Sequence, residues 1–163
     1  MDVNGFKGPN SEARNGKQYD IRSFKVAKFS KGCAGNDISG IGCVYVLPSY
    51  SPIKAGSDEM KKWDPNWTTE KVGSEASYDN YWAGAKKACD DIGMSLPDKS
   101  KLKSLYEAGK KDSSLGLPTD ALFWSSSEYE DGAAYAYGGA FGDGYTYFDF
   151  KRYSRSKVLC VGD

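Results

Sequence analysis

The chain of 163 residues contains no histidine. That absence removes the Ser-His-Asp triad, the Cys-His dyad and every His-based zinc site together. Net charge is missing as well. Twenty-two Lys and Arg balance 22 Asp and Glu, which leaves no basic field for nucleic acid and no polybasic patch for a membrane surface. No apolar run approaches the ~18 residues of a membrane-spanning helix, and no signal peptide is recognisable. None of the 4 cysteines falls in a CxxC or Cys/His metal spacing. Adjacent carboxylates occur at Asp90-Asp91 and Asp58-Glu59, but neighbours on a helix or loop point apart and read as solvated charges. Gly138-Gly139 and Gly142-Asp143-Gly144 do not open a helix and carry no following Lys-Ser/Thr, so neither is a phosphate cradle. No enzyme activity, no cofactor and no metal site are expected.

The sharpest deficit is local. Residues 129–149, YEDGAAYAYGGAFGDGYTYFD, hold no Lys or Arg and no Val, Ile or Leu. What is there is Tyr, Gly, Ala, Phe and Asp, between two flanks that read as structural, Phe123-Trp124-Ser125-Ser126-Ser127-Glu128 and Val158-Leu159-Cys160-Val161. Tyr supplies large, stiff, amphipathic contact area at low entropy cost, and Gly and Ala leave room for it. This is the composition of a recognition surface. With 12 Tyr in a polar chain, many tyrosines are expected at a half-wet surface where the ring packs and the hydroxyl stays solvated.

The rest of the chain reads as one α+β unit, residues 1–163, long enough to bury a core. Residues 1–22 carry three turn formers, Asn4-Gly5, Gly8-Pro9-Asn10 and Asn15-Gly16, and a short strand is expected from Phe24 to Phe29. Cys33 and Cys43 bracket a Gly-rich loop, and Val44-Tyr45-Val46-Leu47 is an apolar run ended by Pro48. Ser49 to Ser77 reads as a long irregular connection, pinned to the core by Trp63 and Trp67, with a sugar platform as the alternative reading of the two rings. Two helices follow. Ser77 is the expected cap of the first, in which Tyr81, Trp82, Ala85, Ala88, Cys89 and Ile92 share a face up to Gly93. The second starts at Asp98 or Ser100, runs through Leu102, Leu105 and Tyr106, and closes at Gly109. Its other face, with Lys99, Lys101, Lys103, Lys110 and Lys111, reads as solvated. From Ala121 the period becomes two, with a turn at Gly142-Asp143-Gly144 and a final strand from Lys157 to Val161. Four free thiols or two disulfides both fit the cysteine count, and disulfides in an oxidising compartment are the expectation.

The order of short strands, two helices and a strand-and-loop half resembles the C-type lectin fold. The residues that carry the likeness are Ala85-Lys86-Lys87-Ala88-Cys89, Gly93, Leu96-Pro97, Leu102 and Leu105, with the WSS-type strand at Phe123–Glu128 and the closing Val158-Leu159-Cys160-Val161. The resemblance covers roughly residues 77–163. It implies a disulfide between Cys89 and Cys160, and with it one between Cys33 and Cys43. The tripeptides of the calcium-dependent sugar site in animal lectins are missing, and so is the Trp-Asn-Asp that goes with them. In the formylglycine-generating enzymes, which share the fold, a cysteine pair is redox-active; here Cys160 is better explained as a structural disulfide partner.

The likeness puts the Tyr/Gly stretch, within a ligand face at 123–160, where the family displays its binding surface. There it is similar to the variable proteins of diversity-generating retroelements, in which adenine-directed mutagenesis scatters such residues over a lectin-fold surface. That implies a hypervariable ligand-binding set of Tyr129, Asp131, Ala133, Ala134, Tyr135, Tyr137, Gly139, Phe141, Asp143, Tyr145 and Tyr147, with Trp124 in the core beneath. Burial is expected from Tyr135, Tyr137, Phe141, Tyr145 and Tyr147, and polarity from Asp131, Asp143 and Asp149. The implied partner is a protein or a cell-surface receptor, a glycan included, and the implied location is extracellular, on a cell or a phage tail. Alternatives are a fixed-specificity bacterial lectin or adhesin and a minor pilin.

A second likeness, over Asp2–Asn10 and Gly16–Ile21, is to the globular part of type IV pilins and pseudopilins. It implies a pilin-like N-terminal region within residues 1–50, pilus subunits as partners, and an export or anchor helix ahead of Met1. Asp2, Asn4 and Asn10 are oxygen-rich, but turn chemistry is the commoner cause than calcium.

Overall fold

A computed structural model describes residues 36–38, as backbone, and 42–162. The elements run β1 (Asn36–Ile38), β2 (Gly42–Val46), α1 (Glu59–Trp63), α2 (Thr69–Val72), a 3-10 helix (Gly73–Ser77), α3 (Tyr81–Asp91), α4 (Lys99–Lys111), a 3-10 turn (Ser113–Leu115), β3 (Leu122–Glu128), β4 (Tyr135–Ala140), β5 (Thr146–Phe150) and β6 (Leu159–Gly162). This is an α+β fold of few helices and short antiparallel strands. The strands form two sheets, β1-β2-β6 and β3-β4-β5. The pilin-like segment, the strand at 24–29, and the Cys33 end of the second cysteine pair lie outside the described residues.

The two long helices form where apolar residues recur at helical spacing. The cap of α3 is Asn80, not Ser77: its side-chain oxygen accepts from the Ala83 N–H at 2.8 Å. Ser77 instead belongs to the preceding 3-10 helix, where its hydroxyl donates to the Ser74 carbonyl. Asp98 caps α4 by accepting from Lys101 N–H. That helix runs through Gly109 to Lys111, because Gly109 sits in contact with Leu117 and the missing side chain admits it. Glycine has a second such use in α3. A Cβ on Gly84 would overlap the Ser51 carbonyl oxygen, so only glycine lets the helix approach the 51–52 segment.

The expected irregular connection contains α1, α2 and the 3-10 helix. Segments of four or five residues are too short to show a 3.6-residue period, which is why the sequence reads there as loop. They close over Ile53, Met60, Trp67 and Val72, which are buried with Ala83 and Ala134. The core has two further clusters. One joins α4 to both sheets through Leu102, Leu105, Phe123, Phe141, Val44 and Leu159. The other joins α3 to β3 and β6 through Trp82, Ala85, Trp124 and Cys160, with Val158 just ahead of β6. Within it, Cys89 and Cys160 form a disulfide with Cα atoms 5.5 Å apart, as the lectin likeness implies. Closing a loop of 71 residues stabilises the fold by about 2–4 kcal/mol.

Candidate binding face

In β4 the odd-numbered residues point one way and the even-numbered ones the other. The hairpin to β5 pairs Tyr135 with Phe150, Tyr137 with Phe148 and Gly139 with Thr146. Paired residues share a face. Tyr135 and Tyr137 therefore stand beside Phe148 and Phe150, while Tyr147 and Asp149 share the opposite face with Ala136 and Gly138. The expected grouping of Tyr135 and Tyr137 with Tyr145 and Tyr147 is corrected on this point. The connection closes with Ala140 N–H to Tyr145 O and Gly144 N–H to Ala140 O, and its length makes odd positions pair with even ones.

Helix α4 covers the Gly139 end of the outer face, where Leu102 lies 3.4 Å from the place a Gly139 Cβ would take. Beyond the start of that helix the face is open and aromatic. Tyr129 stacks on Phe148 with ring centroids 4.2 Å apart, and both meet Tyr135 and Tyr137 edge to face. Tyr135 continues to Phe150 at 4.5 Å and Phe150 to Tyr153 at 5.1 Å. A cation sits at each end of the stripe. Lys99 Nζ lies 3.9 Å above the Tyr137 ring, and the Arg152 guanidinium lies among Tyr78, Phe150 and Tyr153 while bonding Glu75. Lys99 is thus engaged with a ring, and Lys103 donates to the Gly144 carbonyl, so the lysine face of α4 is only partly a solvated one. Phe148 is 48% exposed, Tyr78 48% and Tyr145 67%, the large hydrophobic residues most open to solvent among those described.

Electrostatics at the stripe are light. The Tyr137 hydroxyl meets both Glu130 carboxylate oxygens at 2.9 Å. Partial desolvation and then this carboxylate raise the Tyr137 pKa. Glu130's own backbone hydrogen bond and then the Tyr137 hydroxyl lower that of Glu130.

The expected site residues divide accordingly. Tyr129, Tyr135 and Tyr137 come together on the outer face; Asp131 and Asp143 are exposed, and Ala133 is half-buried. Four assignments are corrected. Phe141 is 2% exposed and packs on Phe123 and Tyr106, because the chain turns inward behind α4. Ala134 is buried beside Trp67 and Ile53. Tyr147 points to the inner face, where its hydroxyl shares a hydrogen bond with Ser156 Oγ and burial pushes its pKa up to about 12. Asp149 is 4% exposed and is paired with Arg155 at 2.8 Å instead of tuning an outer surface. Trp124 is fully buried, as expected, and donates to the Tyr50 hydroxyl. Phe148, Phe150, Tyr153, Arg152 and Lys99 are contributors that sequence reasoning passes over; the strict alternation of 146–150 holds the signal once its register is known.

Among the described strands β5 lies at the edge of its sheet, and this edge completes the face. Ala140 N–H bonds Tyr145 O, and Lys151 N–H bonds Ala134 O. The backbones of Tyr145, Tyr147 and Asp149 therefore turn toward β4, and those of Thr146, Phe148 and Phe150 turn away. At Phe150 the outward groups are taken by the Asp149 carboxylate and the Tyr153 N–H. Thr146 and Phe148 are left to present theirs, since β5 pairs with β4 alone among the described strands.

No protein-family model, no curated protein and no solved structure matches the chain. The class these observations define is an α+β protein with two three-stranded antiparallel sheets, a helix-to-strand disulfide, and an exposed tyrosine-rich face on the second sheet. Among the described residues no helix is long and apolar enough to cross a membrane, and no cluster of ligating side chains is arranged to hold a metal ion.

Proposed function

We propose that this is a C-type lectin-like variable protein of the diversity-generating retroelement kind. It acts outside the cell and binds a protein partner or cell-surface receptor through the outer face of β3-β4-β5. The observation that carries the reading is the aromatic stripe itself, Tyr129, Tyr135, Tyr137, Phe148 and Phe150, laid on glycine- and alanine-rich strands with Phe148 about half exposed. Aromatic anchors inside a polar rim are the usual source of binding energy in protein recognition. The helix-to-strand disulfide and the order of elements support the lectin-like assignment, and the disulfide suits an oxidising compartment.

A protein fits this face better than a glycan. The Tyr129 and Phe148 rings are stacked on each other, and Lys99 sits over Tyr137, so three ring faces that would serve as sugar platforms are already occupied. What remains are ring edges, hydroxyls and the two open backbone positions at Thr146 and Phe148, groups that an extended polypeptide can match.

The test is the DNA beside the gene. A near-repeat of the codons for 124–160, differing at adenines and adjacent to a reverse transcriptase, is the expected result. The differing codons should include Tyr129, Tyr135, Tyr137 and Phe148 and spare Trp124, Phe141 and Tyr147. Absence of any repeat overturns the variable-protein reading and leaves a fixed-specificity adhesin. Differences concentrated at the buried positions would instead overturn the choice of face.

A further inference from the structure

Lys151 follows β5 on the inner side of the sheet, and its side chain is 0% exposed. Its Nζ lies 2.9 Å from Asp64 Oδ2, on a side chain 1% exposed, and 2.5 Å from Glu128 Oε2, on one 29% exposed. The Trp82 ring centroid is 4.2 Å from Nζ on another side. Asn80 Nδ2 donates to the same Asp64 oxygen at 2.9 Å, and Asn66 Nδ2 donates to Glu128 Oε1 at 3.0 Å. A primary amine is thus held against one buried carboxyl and one solvent-connected carboxyl by partners from three separate stretches of chain. The binding face uses none of these groups.

We propose that Lys151 and Asp64 condense into an intramolecular isopeptide bond, with Glu128 carrying the proton. Lys151 Nζ gives a proton to Glu128, and the freed amine attacks Asp64 Cγ. An N–C bond forms and one Asp64 C–O bond breaks. Nitrogen sheds two of its three protons in all, and both leave with the departing carboxyl oxygen as one water. Glu128 ends as the carboxylate it began as. The positive charge on Lys151 and the negative charge on Asp64 disappear together, and no oxidant, reductant or cofactor is consumed.

Three features favour the step. Nζ is already in contact with an Asp64 oxygen, so the carboxyl carbon is one C–O bond further away, inside the range where held reactants gain large effective concentrations. Exclusion of water by Trp82 and the surrounding core favours condensation over hydrolysis. Replacing two buried ions by a neutral amide removes their desolvation cost. Asp64 is the partner and Glu128 the proton carrier because Asp64 is sealed and fixed by Asn80, whereas Glu128 reaches solvent. The bond would tie the 50–80 segment to the end of β5, across 87 residues.

Intact mass of the full chain, denatured and reduced, is the test. The expected mass lies about 18 Da, one water, below that of the linear sequence. A protease digest is expected to yield one branched peptide joining the Asp64 and Lys151 regions. Glu128→Gln is expected to restore the full mass, and Asp64→Asn to lose about 17 Da, as ammonia leaves in place of water. A wild-type chain at full mass after prolonged incubation overturns the proposal and leaves an ion-paired triad. Dehydration that maps elsewhere overturns it as well. Should Glu128→Gln fail to fold, the wild-type digest and Asp64→Asn still decide the matter.

Discussion

The two faces of the β3-β4-β5 sheet are built from the same strands and nearly the same residue types, yet they are organised on opposite principles. On the inner face every large polar group is matched. Tyr147 meets Ser156, Tyr50 donates to the Ser156 carbonyl and accepts from Trp124, Asp149 meets Arg155, and Lys151 meets Asp64 and Glu128. Space is used up there too: a Cβ on Gly138 would fall 2.5 Å from the Phe123 carbonyl and 2.6 Å from the Tyr147 ring. On the outer face the rings touch one another and few of their polar atoms are committed. A tyrosine at one strand position is a structural strut, and at the next it is part of an open aromatic surface. Residue type does not tell them apart; parity does.

If that contrast is right, the largest loss should follow from an inner-face change that strands a buried charge. Lys151→Ala removes both the proposed amide and the cation it forms from, and leaves Asp64 a bare carboxylate on a side chain 1% exposed. Breaking a buried pair from one side costs on the order of 3–5 kcal/mol. Urea unfolding followed by tryptophan fluorescence should report it, because Trp82 and Trp67 flank Lys151 Nζ. A loss under about 1 kcal/mol would place the site in the class of surface pairs and erase the distinction between the faces.

That inner network shows where the sequence stops being readable. Local patterns carry local facts: the spacing of Trp82, Ala85 and Cys89 marks α3, and the alternation of Tyr135 to Tyr137 marks β4. The Cys89–Cys160 bridge is legible through the lectin likeness, which supplies a long-range pairing that no window of sequence contains. The triad of residues 64, 128 and 151 has no such aid. Its members lie in three separate segments, and each alone reads as an ordinary surface charge. Face parity escapes the sequence for a different reason. Both β4 and β5 alternate cleanly, but their relative phase depends on how many residues the turn between Ala140 and Tyr145 consumes. An error of one residue there exchanges Phe148 for Tyr147. Phe141 escapes it because that residue belongs to the turn and not to the strand, and turn residues obey no alternation.

A smaller and pH-dependent effect sharpens the comparison. Burial raises the pKa of Tyr147 from the ordinary value of 10 to about 12, with the Ser156 hydrogen bond opposing. Burial does the same to Tyr50, with Trp124 opposing. A raised acid pKa means that the folded state holds the proton more tightly than the unfolded state. The stability these hydroxyls contribute is therefore fully present below pH 10 and is lost as pH rises through 12. Spectrophotometric titration should show these two tyrosines ionising late and together with unfolding. Tyr147→Phe should remove one late ionisation and make the alkaline midpoint less steep. Ionisation of every tyrosine near pH 10 with the fold intact would mean that the inner hydroxyls are open to water.

The smallest effects on stability belong to the outer face, where they are also the most discriminating. Phe148→Ala removes a stacked partner of Tyr129 and an edge contact with Tyr135, which predicts a cost of about 0.5–1.5 kcal/mol beyond lost area. Tyr137→Phe removes only the hydroxyl that faces Glu130. Both groups stand in solvent, so the freed carboxylate takes up water and the urea midpoint should not move measurably. The Glu130 carboxyl is then expected to titrate closer to its ordinary range, since one of the causes lowering it has gone, a change that carbon-detected NMR can follow. Destabilisation by Tyr137→Phe as large as that by Lys151→Ala would make the outer tyrosines structural members of the fold. A silent Tyr137→Phe beside a costly Lys151→Ala would leave the outer face as the one part of the sheet that sequence can alter without loss of the fold, which is what a diversified binding surface requires.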